Sequence, residues 1–172
     1  MHLEPATRVD LPALHALVER AYRGDTARRG WTHEADLLGG QRTDLAALEA
    51  MVADPLQHLL VLRDNDELIA CALLAERGEG LIYLGMFTVD PERQGAGLGR
   101  LMLAAAEDHA AIDLAATRVE MTVITHRAEL IAWYERRGYR PTGERRPFPA
   151  TDPRFGLPKR DDLEFVVLEK RF

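Results

Sequence analysis

The chain has 172 residues, 47% of them hydrophobic, with 22 basic and 28 acidic side chains and a net charge of −6. That length suits one domain able to bury roughly two thirds of its unfolded surface, and the interspersed charges argue against a broad basic face for nucleic acid. One cysteine excludes an intrachain disulfide, and neither an apolar run of ~18 residues nor a basic-then-apolar leader is present, so no membrane association and a cytoplasmic, reducing setting are expected.

In chain order, Leu3 to Val9 reads as an edge strand that tolerates Pro5. Asp10 then caps a helix whose Leu11, Leu14, Leu17, Val18, Ala21 and Tyr22 share one face, with Pro12 in the first turn. From Arg23 to Arg42 the periodicity fades among Gly24, Gly30, Gly39 and Gly40, which predicts a long loop or broken helix of the kind that is usually functional or disordered. Leu45, Leu48, Met51 and Val52 make a short helix that stops before Pro55. Leu59 to Leu62 and Leu68 to Ala75 read as strands joined by a polar turn, and Gly78-Glu79-Gly80 leads into a third strand, Leu81 to Val89. Cys71 lies inside the second of these, a small buried hydrophobe rather than a nucleophile.

A helix is predicted over Gly97 to Leu114, a strand over Arg118 to Thr125, and a helix over Ala128 to Arg137 with Gly138 at its C′ position. Two strands around Tyr139 to Arg145 and Leu163 to Glu169 complete the order β-α-α-β-β-β-α-β-α-β-β. This alternation indicates an α/β fold with a mixed sheet, in a single domain over residues 1–172.

Gln94-Gly95-Ala96-Gly97-Leu98-Gly99 sits directly between the third strand and the next helix. Glycines accept positive φ and present no Cβ, so successive N–H groups turn toward an anion where a helix also offers unpaired donors and its positive dipole end. A dinucleotide fingerprint starting at Gly95 fails at Arg100, and no Gly-Lys-Ser/Thr follows to make a P-loop.

What remains, Gln/Arg-x-x-Gly-x-Gly/Ala at Gln94, Gly97 and Gly99, resembles the acetyl-CoA motif of the Gcn5-related N-acetyltransferases (GNAT). Leu130-Ile131-Ala132-Trp133-Tyr134-Glu135-Arg136-Arg137-Gly138-Tyr139 is similar to a later helix of that family, which commonly ends Leu-Tyr-Glu-Lys-x-Gly-Phe. The resemblance is weak over the first eighty residues and strong from Leu81 to Tyr139.

It implies the GNAT fold, acetyl-CoA as co-substrate without a metal, and transfer of acetyl to a primary amine by direct attack in a ternary complex. It further implies that Gln94, Gly95, Ala96, Gly97, Leu98, Gly99 and Arg100 hold the pyrophosphate; Arg93 and Arg100 either add charge to that site or sit in water. Phe87, Thr88 and Val89 would act on the pantetheine arm through their backbone, and Tyr134 would protonate the departing thiolate. Where the family often has asparagine, this chain has Arg127; it either approaches the cofactor phosphates or leaves that role unfilled. The acceptor is read as a small molecule or peptide, in a pocket built by Trp31, Glu34, Phe148 and Phe155 on two irregular segments. Glu120, His126, His33, Glu34, Asp36 or a water chain are the candidates for the base. His33-Glu34-x-Asp36 has no accompanying ligand cluster for a metal. A non-catalytic acyl-CoA sensor is the alternative, and a homodimer is the commonest assembly for such enzymes.

Overall fold

The apolar runs in the middle of the chain form the centre of a seven-stranded sheet. In this computed structural model, which describes residues 3–172 except the Phe155 side chain, the elements follow as β1 (Leu3–Pro5), α1 (Leu11–Tyr22), α2 (Gly24–Ala27), β2 (Leu38–Gly39), α3 (Leu45–Ala53), β3 (Gln57–Asp64), β4 (Glu67–Glu76) and β5 (Leu81–Val89). After them come α4 (Leu98–Asp108), β6 (Arg118–Ile124), α5 (Ala128–Glu135), β7 (Arg140–Pro147), β8 (Leu157–Pro158) and β9 (Glu164–Arg171). The large sheet runs β1-β3-β4-β5-β6-β9-β7, and only β5 and β6 are parallel.

Helices cover both faces, which is why β4 is buried along almost its whole length. Leu14, Leu17 and Val18 of α1 and Leu48 of α3 pack on one face with Leu59, Val61 and Cys71. Met102, Leu103 and Ala106 of α4 and Tyr134 of α5 pack on the other with Leu62, Ile82 and Val119. Cys71 is fully buried, and that burial pushes its thiol up to about 12. It is the inert small hydrophobe that its apolar neighbours predict.

Three expectations need correction in detail. The first strand ends at Pro5 rather than Val9, because Asp10 accepts hydrogen bonds from Thr7 N (2.7 Å) and Thr7 Oγ1 (2.8 Å) and winds residues 8–10 into a 3-10 turn. The long helix closes in a π turn over residues 109–113. The stretch from Arg23 to Arg42 is not wholly irregular, since it carries α2 and the strand β2, which pairs with β8.

Asp44, which precedes α3, accepts from Ala47 N at 2.7 Å. Asp44→Ala removes this N-cap and is expected to lower stability by about 1 kcal/mol, seen as a fall in Tm of roughly 2–4 °C.

Candidate functional site

β5 and β6 pair only at Leu81↔Arg118, Ile82↔Val119 and Tyr83↔Glu120, and then part. A bulge in β5 lies within the parting segment. Thr88 pairs with Cys71 and Gly85 with Leu73, so Met86 and Phe87 together stand opposite Ala72, and Met86 takes φ 46°. Bulges bend a strand and increase its twist. Met86 O accepts from Thr88 Oγ1 at 3.0 Å, and Phe87 O from Tyr22 OH at 2.7 Å. From Leu84 onward neither strand has a ladder partner on its inner side, and a cavity of 680 Å³ opens between them.

One end of the cavity is the glycine loop. Gly95 and Gly97 have φ of +90° and +83° with nothing within 4 Å of a notional Cβ, and Gly97 is the N-cap of α4. Among the described residues, none of the N–H groups of residues 95–99 donates to a protein acceptor. They are unpaired donors at the positive end of an eleven-residue helix.

The Gln94 side chain serves another purpose. Its Oε1 accepts from Trp31 N at 2.7 Å and its Nε2 donates to Val89 O at 3.0 Å, tying the Trp31 segment to the end of β5. Gly30 must lack a side chain here, since a Cβ would lie 2.8 Å from Gln94 Oε1. Asp90, bound to Arg20 at 2.5 Å and capping residues 91–93 through Glu92 N, anchors the loop to α1.

Arg100 and Arg137 line this end. Arg137 stacks 3.6 Å over the Trp133 ring, and its buried Nε has no acceptor. Sequence reasoning missed Arg137, whose only signal was its place beside the Tyr134 motif. Arg93, expected to add charge near the phosphates, instead binds Asp64 (3.0 Å) and Glu67 (3.2 Å) at the β3–β4 hairpin, where two carboxylates outweigh the pull of the loop.

Tyr134 lies on the cavity wall, its ring held edge-on by Trp133 (5.0 Å), Tyr139 (5.6 Å) and Phe87 (6.4 Å). The end of α5 is locked as the glycine predicted. Gly138 has φ +96°, its N–H donates to Glu135 O (3.1 Å), and Tyr139 N–H reaches back to Tyr134 O (3.3 Å). The Tyr134 hydroxyl has no hydrogen-bond partner among the described residues, and burial raises its pKa above the usual phenol value.

The two irregular segments build a further part of the cavity wall, the first of them reaching the glycine loop where Trp31 N meets Gln94. β2 pairs with β8, and Lys159 donates from N to Leu37 O (2.9 Å) and from Nζ to Ala35 O (2.6 Å). This pairing brings Trp31 and Glu34 to the same cavity as Phe148, which is wedged against Leu38, Ile124 and Phe165. The Phe155 side chain lies outside the described residues.

Glu34 joins Arg23 (3.0 Å) and Arg127 (2.9 Å), all three side chains being 6–12% exposed. Burial alone would raise the Glu34 pKa, but Arg127, Arg42 and Arg23 outweigh it and hold the carboxyl below its usual range. Arg127 also donates to Thr32 Oγ1 at 2.8 Å, so its guanidinium is engaged with the Thr32–Glu34 segment. Of the base candidates Glu34 alone lines the cavity. Glu120 is bound to Arg146 (2.8 Å), His126 to Asp162 (3.3 Å), and Asp36 to Arg28 (2.9 Å).

Among the described residues no helix is long and apolar enough to cross a membrane. The sequence profile of the Acetyltransferase (GNAT) family matches residues 13–139. Solved structures with the same fold include a ribosomal-protein-alanine N-acetyltransferase from Brucella melitensis, 19% identical, with 100% of both chains covered and a TM-score of 0.71. The ribosomal-protein-S18-alanine N-acetyltransferase from Escherichia coli is 19% identical over 98% of this chain and 92% of its own, with a TM-score of 0.68. A spermidine/spermine N-acetyltransferase from Vibrio cholerae is 15% identical over 98% of this chain and 91% of its own, with a TM-score of 0.69.

Proposed function

This chain belongs to the GNAT acetyltransferase family, and from that premise we propose that it transfers an acetyl group from acetyl-CoA to a primary amine of a small molecule or peptide within a ternary complex. The observation that carries this reading is the row of unpaired N–H groups at residues 95–99, opening onto the split between β5 and β6. Such a row suits a diphosphate, and the orphaned Arg137 Nε with Arg100 nearby supplies further positive charge. The fit is therefore physical as well as familial.

When bound, acetyl-CoA supplies an acyl group activated as its thioester. The chain does the rest. The Gly95–Gly99 backbone holds the phosphates, and β5 at Phe87, Thr88 and Val89, which has no β6 partner and whose Phe87 O and Val89 O already accept from Tyr22 and Gln94, offers its remaining main-chain groups to the extended arm. Tyr134, which lines the cavity and whose hydroxyl stays protonated, donates a proton to the leaving sulfur. Proximity supplies much of the rate, because both reactants are held in one cavity. The acceptor enters from the Trp31–Glu34 and Phe148 side. Relatives of the same fold are named for acetylating spermidine or a ribosomal-protein alanine, which are amines of very different size.

Two measurements test the proposal. Calorimetry should detect coenzyme binding by the wild type, weakened about tenfold in Gly97→Ala, because an L-residue at φ +83° costs about 1–2 kcal/mol and turns the N–H row. Thiol release from acetyl-CoA should appear with at least one member of an amine panel. Tight coenzyme binding with no turnover on any amine would favour an acyl-CoA sensor instead.

A further inference from the structure

The charges at the acceptor end are unbalanced. Among the described residues that line the cavity, Glu34 is the one carboxylate, and arginines 42, 100, 127 and 137 are the cations. They divide into two sets. Arg100 and Arg137 act on one another near the glycine loop, whereas Arg42 and Arg127, with Arg23 behind them, act on Glu34. Glu34 is already shared by Arg23 and Arg127.

Among the described residues the Arg42 guanidinium has no carboxylate in contact, although its main-chain N–H donates to Glu19 Oε1 at 2.7 Å. Its guanidinium stacks 5.1 Å over the Tyr22 ring, and Tyr22 in turn hydrogen-bonds the bulge carbonyl of Phe87. The buried Nε of Arg127, in the same end, also lacks an acceptor. Arg42 and Arg127 line this part of the cavity against the single lining carboxylate Glu34, and the Arg42 guanidinium and Arg127 Nε are the donors that call for an anion.

Resting on the acyltransfer reading above, we infer that the acceptor is an amine that also bears an anionic group, a carboxylate in the simplest case, which Arg42 binds while the amine faces the split between β5 and β6. The guanidinium fork matches a carboxylate, and positive surroundings disfavour a second ammonium group on the same molecule. A polyamine is thus a poor acceptor and an amino-acid-like molecule a good one.

Matched pairs of acceptors, followed by thiol release from acetyl-CoA, test this on the wild-type protein. The pairs are phenylalanine with phenethylamine, lysine with 1,5-diaminopentane, and O-phosphoethanolamine with ethanolamine. In at least one pair the anionic member should show kcat/KM roughly tenfold or more above its partner, as a charged hydrogen bond provides. A preference confined to the third pair identifies phosphate as the anion. In Arg42→Gln the ratio should shrink about tenfold through KM of the anionic member, with Arg42→Lys recovering part of it. Equal or better turnover of the member without an anionic group in every pair, or an unaltered ratio in Arg42→Gln, overturns the inference while leaving acyltransfer intact. Coenzyme binding with no turnover on any amine overturns both.

Discussion

Tyr134→Phe is expected to lower kcat about 100-fold, within the range by which positioned proton donors accelerate reactions, while the coenzyme affinity stays within about threefold. The variant removes one oxygen and no packing. Trp133, Tyr139 and Phe87 hold the ring at 5.0, 5.6 and 6.4 Å, contacts that phenylalanine keeps. The hydroxyl bonds to no other protein group described, so its loss orphans nothing, and stability should be nearly unchanged. A fall in kcat with unaltered melting and coenzyme binding therefore reports on proton donation alone.

The pH dependence sharpens the assignment. Burial, with Tyr22 nearby, raises the phenol above its ordinary value of about 10. The donor stays protonated across the usual assay range, and no alkaline loss of kcat below about pH 10 should arise from it. Normal turnover in the phenylalanine variant, measured with saturating acetyl-CoA and acceptor, removes Tyr134 from the chemistry.

Glu34→Ala is expected to cost about 3 kcal/mol of stability, since it takes the carboxylate away from two nearly buried guanidiniums. For a chain of this size that corresponds to a fall in Tm of roughly 6–12 °C. Arg127 keeps Thr32 Oγ1 at 2.8 Å and Arg23 keeps Tyr22 O at 3.2 Å, which places the loss at the lower end of the range for broken buried pairs. The same change loosens the Trp31–Glu34 segment, so the acceptor KM should rise as well.

Acid separates this pair from ordinary packing. Burial pulls the Glu34 pKa up, but Arg127, Arg42 and Arg23 pull it further down, and the folded-state value lies below the ordinary one of about 4.3. A depressed carboxyl contributes stability that is fully present above its unfolded value and is lost as pH falls through the folded one. Denaturant midpoints of wild type and Glu34→Ala should therefore differ by a constant amount from pH 8 to about 5.5, and the gap should narrow progressively as pH falls below about 4.3 and on through the folded-state value. A gap that persists in acid assigns the stabilisation to shape rather than charge.

Legibility along the chain followed the range of the interaction concerned. β5 begins and ends where its apolar run does, at Leu81 and Val89, because a short apolar run bounded by Gly80 and Asp90 declares itself in its own composition. Gly138 was readable as a helix terminator because its requirement, a positive φ, is met within one residue. Met86 was not, since it adopts φ 46° without being glycine, held by a register shift against β4 that no local preference reveals. Gln94 was readable as part of the loop, yet its side chain turned out to clasp Trp31 N, sixty-three positions earlier in the chain.

The sequence by itself determined the alternation of elements, the left-handed glycines at 95, 97 and 138, and the inert burial of Cys71. Each of these is a preference of a residue for its own backbone or its own solvent exposure, and neighbours suffice to express it. Only the tertiary structure decided that β9 inserts between β6 and β7, that β2 closes on β8, that Arg93 abandons the loop for the β3–β4 hairpin, and that Arg127 meets Glu34 across ninety-three positions. These outcomes turn on which distant segments come together, and charge pairing and strand pairing act through space, without a period or a spacing to announce them.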